Sequence, residues 1–81
     1  MARISGKRDE SAALVALGRV IRQKRKQLDL SQEALADEAS IDRSHMGKIE
    51  RGERNVTVLN VIRIAVALKS SASDLFTESG L

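Results

Sequence analysis

The 81-residue sequence predicts an all-α fold, a compact bundle of five helices around one core. Three observations support this prediction. Apolar residues recur at the three- and four-residue spacing of helix faces and do not alternate as they would in strands. The chain contains no proline, the residue that most strongly interrupts helices. Side chains that favour helix N-termini precede apolar segments at Ser31, Asp42, Thr57 and Ser71.

The first predicted helix covers about residues 9–28. Its apolar residues form one stripe, which we expect to face the core: Leu14, Leu17, Ile21 and Leu28. The residues before it are polar and basic. We therefore predict a flexible basic tail, residues 1–8, in front of one domain that covers residues 9–81.

Charge is distributed unevenly along the chain. Residues 1–30 carry 8 Lys and Arg against 3 Asp and Glu, a net charge of +5, whereas residues 31–81 carry 6 against 8, a net charge of −2. A positive region attracts polyanions, although a short basic run is also typical of a solvated helix face. Charge alone therefore leaves both interpretations open.

Two short helices are predicted in the centre of the chain. The second helix covers about residues 32–39 and the third about residues 43–51, with only residues 40–42 between them. Gly52 ends the third helix, because glycine adopts a left-handed conformation without a Cβ clash. This spacing is typical of a helix-turn-helix, in which the second helix of the pair enters the major groove of DNA.

The outward face of the third helix carries polar side chains. Arg43, Ser44 and Lys48 lie on neighbouring positions, while Met46 and Ile49 point towards the core. Arginine can bond guanine through two hydrogen bonds, and serine can bond several bases. We expect these three residues to read base edges, although an exposed helix face without function has the same pattern.

The fourth and fifth helices complete the predicted bundle. Apolar residues cover more than half the circumference of the fourth helix, which starts after Thr57, and this predicts burial on two sides. The fifth helix starts after Ser71, and Asp74 stands three residues further on, as in a capping box.

Three stretches carry a resemblance to a known family. Residues 31–36 read SQEALA, residues 41–44 read IDRS and residues 49–55 read IERGERN. In this order and spacing they resemble the phage-repressor-like helix-turn-helix family (XRE type), which includes Cro and lambda repressor. The resemblance runs from about Leu17 to Phe76. Within the family, the chain is most similar to the controller proteins of restriction-modification systems.

The resemblance implies a lambda-repressor-like arrangement and particular DNA contacts. Gln32 would hold a phosphate or reach a base, because it stands at a helix N-terminus, and Arg54 and Asn55 would hold the DNA backbone. His45 could touch a phosphate or a thymine methyl group, or it could be a half-exposed residue without a role. Base reading would fall to Arg43, Ser44 and Lys48.

The resemblance also bears on three positions with structural roles. Arg25 and Glu50 match positions that pair across the first and third helices, so we expect a partly buried salt bridge between them. Lys69 stands where the family usually has glycine; either it is left-handed, at a cost of roughly 1–2 kcal/mol, or the fourth helix ends differently. Gly47 either allows a close approach to DNA or is simply tolerated.

The expected functional unit is a homodimer. One recognition helix reads only a few base pairs, so specificity normally requires two of them about 34 Å apart on a palindromic operator. The predicted dimer surface is Val66, Leu68, Leu75 and Phe76, with ordinary core packing as the alternative.

We therefore expect a transcriptional regulator whose partners are double-stranded DNA and a second copy. RNA polymerase is a further candidate partner, through Glu33 or Glu50. An antitoxin-like or partner-binding protein with the same fold is the alternative.

Other classes of protein are not favoured by the composition. The chain has no cysteine and a single histidine, and it lacks a phosphate-binding glycine loop, so we expect no metal, cofactor or catalytic residue. No signal-peptide pattern stands at the start, and no apolar stretch approaches the roughly 18 residues of a membrane span. We expect a cytoplasmic protein that is not an enzyme and does not associate with membranes.

Overall fold

The computed structural model describes residues 6–81, with side chains from Ser11 onward. Within this range the chain forms five helices and no strand: α1 (Gly6–Gln27), α2 (Gln32–Ala39), α3 (Arg43–Glu50), α4 (Val58–Ala67) and α5 (Ala72–Glu78). The predicted all-α, five-helix class is confirmed. α1 begins three residues before its predicted start. The division into a tail of residues 1–8 and a domain of residues 9–81 stays a prediction, since residues 1–5 lie outside the described part.

The predicted N-terminal caps are present. Each capping oxygen accepts a hydrogen bond from a backbone amide in the first turn of its helix: Ser31 from Ala34 at 3.0 Å, Asp42 from Ser44 at 3.0 Å, Thr57 from Asn60 at 3.1 Å and Ser71 from Asp74 at 3.0 Å. Serine and threonine caps of this kind contribute about 1 kcal/mol each. These local bonds define where α2 to α5 start.

Left-handed residues follow the C-termini of several helices. Gly52 has φ 75°, as predicted, while Asp29, Ser40 and Lys69 have φ between 57° and 58°. Lys69 therefore takes the left-handed conformation that glycine would adopt more easily. The amide of Ser70 then donates to the carbonyl of Ala65 at 2.8 Å and closes the end of α4.

One core joins the described helices, because each contributes a fully buried side chain: Ile21, Leu35, Met46, Ile64 and Leu75. Leu68 is only 4% exposed and packs in the same cluster. The prediction that Leu68 and Leu75 form a dimer surface is therefore wrong, because the packing of α5 on α1 and α4 buries them. Leu28 is 38% exposed and lies in the turn after α1, so its predicted place in the core is also wrong.

Two glycines let α1 cross closely over the end of α3. A Cβ atom on Gly18 would lie 2.5 Å from the carbonyl oxygens of Ile49 and Glu50. A Cβ atom on Gly52 would lie 2.7 Å from the Cα of Val15. Contacts this short would push the backbone of α1 away from the end of α3, so both positions require glycine for the observed packing. The position of α3 on the domain depends on this contact.

Of the helices described, none has an apolar stretch long enough to cross a membrane.

Candidate nucleic-acid interface

α2 and α3 form the predicted helix-turn-helix. The turn between them, residues 40–42, contains the left-handed Ser40, and the amide of Ile41 donates to the carbonyl of Ala36 at 2.9 Å. Met46 and Ile49 of α3 are buried, as expected. The opposite face of α3 is therefore the one available to a ligand.

That face carries the three residues expected to read bases. Arg43 and Ser44 are exposed in the first turn of α3, and Lys48 is half-buried one turn later. The three side chains extend from one short helix whose other side is buried in the core. Base reading requires a polar helix face that enters the major groove, and this role for the three residues stays a prediction.

A polar groove of about 440 Å³ runs beside this face, between α3 and α4. Its lining includes the basic side chains of Lys48, Arg54 and Arg63, together with the polar side chains of Asp42, Ser44, His45 and Asn60. His45 and Arg54 were both expected to contact the DNA backbone. Asn55 is exposed in the loop after α3 but does not line the groove.

The sequence analysis did not identify Asn60 and Arg63. Both lie on α4, where Arg63 Nη1 donates to Asn60 Oδ1 at 3.3 Å. The available signal was weak: two polar residues, three positions apart, in an otherwise apolar helix. Their position beside α3 depends on how α4 packs in the domain, which the local pattern does not show.

Gln32 lies on the other side of α3, in a second pocket of about 230 Å³ lined also by Arg22, Arg25, Glu50 and Arg51. Its Nε2 donates to Glu50 Oε1 at 3.0 Å, so Glu50 orients the side chain expected to meet a phosphate. Arg22 adds positive charge at this pocket, and Arg51 forms an ion pair with Glu53 at 2.9 Å. Neither arginine was identified as a site residue from the sequence. Arg22 and Arg51 are exposed.

Arg25 and Glu50 form the expected ion pair. Arg25 Nε donates to Glu50 Oε2 at 2.8 Å and Arg25 Nη2 donates to Glu50 Oε1 at 3.0 Å. A third bond, from Arg25 Nη1 to the carbonyl of Leu30, is 2.9 Å long. The Glu50 side chain is only 2% exposed. Glu50 is therefore not accessible to RNA polymerase, and that part of the sequence interpretation is wrong; Glu33 is exposed.

Gly47 makes room for side chains of the protein itself. A Cβ atom on Gly47 would lie 3.2 Å from both Gln32 Oε1 and Arg51 Nη1. The residue is buried, so the close approach at this position is to Gln32 and Arg51. A close approach to DNA at Gly47 stays a prediction.

Asp42 is a charged cap at the start of α3. Its Oδ2 accepts hydrogen bonds from the Ser44 hydroxyl at 2.9 Å, the Ser44 amide at 3.0 Å and the His45 amide at 3.3 Å. The bond from the Ser44 hydroxyl, with that from the His45 amide, lowers the pKa of Asp42 below its ordinary value. The carboxylate is thus ionised near neutral pH.

With this geometry established, similarity to known proteins can be considered. Residues 21–75 match the sequence profile of the HTH_3 helix-turn-helix family, which is more than half of the chain. The chain belongs to this helix-turn-helix family. The family resemblance drawn from residues 31–36, 41–44 and 49–55 is thereby confirmed.

Relatives of this helix-turn-helix chain include control proteins. Control protein C.SmaI of Serratia marcescens is 45% identical over 53 residues, which cover 65% of this chain and 63% of that protein. Control protein C.MunI of a Mycoplasma species is 35% identical over 65 residues, which cover 79% of this chain and 88% of that protein. The chain thus matches less than two thirds of the length of the Serratia protein.

The fold of a solved controller protein is also similar. The crystal structure of the restriction-modification controller protein C.AhdI from Aeromonas hydrophila has a TM-score of 0.76 and 43% sequence identity. The match covers 78% of this chain and 96% of C.AhdI. The five-helix bundle expected from the sequence is therefore an arrangement shared with this controller protein.

This helix-turn-helix domain has an apolar face on α4, away from the core. Val58, Leu59, Ile62 and Val66 are between 44% and 75% exposed and share one side of the helix. Val66 was expected in the dimer surface, and it is 70% exposed. Phe76 of α5, also expected there, is 38% exposed. The sequence analysis did not assign Leu59 and Ile62 to an interface.

Proposed function

We propose that the protein is a DNA-binding transcriptional regulator that acts as a homodimer on a palindromic operator. The observation that carries this proposal is the outward face of α3, where Arg43, Ser44 and Lys48 lie beside a polar groove whose lining includes Arg54 and Arg63. A helix of this kind fits the major groove, and the flanking cations fit the phosphates on either side of it.

Phosphate contacts would come from both sides of α3. On the α4 side, His45, Arg54 and Asn55 would meet one strand, together with Arg63 and Asn60. On the α2 side, Gln32 would meet the other strand, with Arg22 and Arg51 beside it. This arrangement places positive charge on both flanks of the base-reading helix, as expected for a protein held mainly by phosphate attraction.

A second copy would cover the apolar face of α4. The exposed side chains of Val58, Leu59, Ile62 and Val66 form a continuous apolar stripe, which monomeric proteins seldom leave in water. A two-fold dimer formed through this stripe would present two copies of α3, one for each half-site of the operator. Phe76 would extend this surface onto α5.

The relatives support a controller role in a restriction-modification system, since those compared above are named control or controller proteins. RNA polymerase is a candidate partner through the exposed Glu33 of α2. The relatives are bacterial proteins, and bacterial chromosomes lie in the cytoplasm, where we place this regulator. The names of these relatives describe regulatory proteins, and we propose no enzymatic activity for this chain.

Selection of bound sequences from random duplex DNA tests the proposal. The expected result is an inverted repeat whose half-site centres are about 10 base pairs, one helical turn, apart or a multiple of that distance. A matched selection with Arg43→Ala should give a less defined base preference at one position in each half-site. Failure of the wild-type protein to enrich any sequence would contradict the proposal.

An antitoxin-like or partner-binding protein is the second candidate, because the exposed α4 face could equally be covered by a different protein. Sedimentation of the purified chain separates the two. A dimer supports the regulator, whereas a monomer that selects no DNA sequence supports a partner-binding protein.

A further inference from the structure

Ser44 has its hydroxyl proton committed within the protein. Its Oγ donates to Asp42 Oδ2 at 2.9 Å, and the same carboxylate oxygen is held by the amides of Ser44 and His45. An ionised carboxylate can only accept hydrogen bonds, so the proton in this contact belongs to Ser44. The lone pairs of the hydroxyl are what remains for a ligand.

The bases differ in what they offer to such an oxygen. In the major groove, adenine presents the N6 amino group and cytosine the N4 amino group, which are donors. Guanine presents the N7 and O6 acceptors, and thymine presents the O4 acceptor and a methyl group. A hydroxyl that can only accept therefore bonds adenine or cytosine and leaves guanine and thymine without a partner.

We propose that Asp42 holds Ser44 as a hydrogen-bond acceptor, so that Ser44 selects a base with an exocyclic amino group. This inference rests on the proposed function and specifies how its base reading works. Asp42 is a positioning residue: it touches Ser44 and sets the direction of its hydroxyl.

The neighbouring side chains of Arg43 and Lys48 have the opposite hydrogen-bonding role to that of Ser44. Arg43 and Lys48 carry only donors, so each bonds an acceptor atom, which guanine presents at N7 and O6, thymine at O4 and adenine at N7, and not an amino group. A half-site read by the three side chains thus has a base with a major-groove acceptor, guanine, thymine or adenine, opposite Arg43 and Lys48, and an amino base opposite Ser44. This pattern follows from which of the three side chains donate hydrogen bonds and which one accepts, and it does not require knowledge of the operator.

Base analogues in the selected operator test this inference. Replacing one adenine by purine, or one cytosine by 2-pyrimidinone, removes the exocyclic amino group. Replacing guanine by 2-aminopurine, or thymine by 5-methyl-2-pyrimidinone, removes the keto oxygen. Each analogue is placed singly in the half-site, and its binding to the wild type and to Ser44→Ala is compared. The pairing defect that each analogue introduces is common to both proteins and cancels in the double comparison.

The expected result is one half-site position where removal of an amino group weakens wild-type binding by about threefold to tenfold, the effect of one hydrogen bond. Ser44→Ala should show no such loss at that position. If the effect of an analogue depends on Ser44 only where a keto oxygen is removed, or at no position, the inference is overturned while the proposed function stays intact. Absence of any sequence preference in the wild type would overturn both.

The role of Asp42 is tested by Asp42→Gly. Glycine is tolerated at helix N-termini, and the substitution removes the carboxylate that accepts from Ser44. The hydroxyl of Ser44 is then free to donate or accept, so the preference for an amino base over a keto base at this position should disappear. The base preferences opposite Arg43 and Lys48 should be retained. An unchanged base preference opposite Ser44 would show that Asp42 does not determine whether the Ser44 hydroxyl donates or accepts.

Discussion

Arg25 and Glu50 form a two-bond ion pair that joins α1 to the last residue of α3. The bonds are 2.8 and 3.0 Å long, and the two side chains are 11% and 2% exposed. Glu50 also accepts a bond from Gln32, so the same carboxylate connects the fold to the proposed phosphate contact. Glu50 therefore contributes both to the stability of the fold and to the orientation of the proposed phosphate-binding side chain.

Removal of one partner leaves a buried charge without its counterpart. We expect Glu50→Ala to lower the free energy of unfolding by roughly 3–5 kcal/mol, the usual cost of breaking a buried pair. Urea unfolding followed by circular dichroism measures this loss. Glu53→Ala is the matched control, because Glu53 pairs with Arg51 at 2.9 Å on the surface, where water screens the interaction. Equal losses in the two variants would contradict the buried-pair interpretation.

Lys69 adopts a left-handed conformation with φ 57°. Glycine adopts it without a Cβ clash, whereas alanine shares the strain of lysine. We expect Lys69→Gly to be about 1 kcal/mol more stable than Lys69→Ala, a difference of roughly 4–8 °C in the melting temperature of a domain this size. Thermal unfolding measures both. Higher stability of the alanine variant would show that the α4 end relaxes to another conformation.

Local chemistry explains what could be predicted from the sequence. The caps Ser31 and Asp42 act within their own first turns, so their side chains alone indicate where α2 and α3 start. Long-range packing explains what could not. Apolar residues surround most of α4, and only the placement of α5 decides that Leu68 faces inward while Val66 faces water. The same dependence on packing concealed Arg63, because the angle between α3 and α4 is not encoded in a local pattern.

The cap at Asp42 should make stability depend on pH in the acid range. The Ser44 hydroxyl and the His45 amide lower the pKa of Asp42 in the folded protein relative to its ordinary 3.8. Its stabilising contribution is therefore present above the unfolded pKa and is lost as pH falls through the lower folded value. We expect Asp42→Asn, which still caps but does not titrate, to lose less stability between pH 5 and pH 2 than the wild type. Parallel curves from urea unfolding at each pH would contradict this.

Arg63 lines the groove beside α3 and is expected to contact a phosphate. Each such contact adds close to one to the slope of log affinity against log salt concentration. Arg63→Ala should therefore reduce that slope by about one per subunit and weaken binding to all sequences alike. The control is Lys26→Ala, which removes the same charge from an exposed position of α1 that lines neither pocket. A slope unchanged from the wild type would remove Arg63 from the interface.

The apolar face of α4 gives the sharpest test of dimerisation. Val66 is 70% exposed, so Val66→Glu should leave the folded monomer intact while placing two like charges near each other across a two-fold interface. Sedimentation equilibrium should show a monomer, and binding to the full operator should weaken far more than binding to a single half-site. Leu81→Glu is the control, because Leu81 is 59% exposed and lies outside α4. If Val66→Glu stays dimeric while Leu81→Glu does not, the interface involves the chain terminus and not the α4 face.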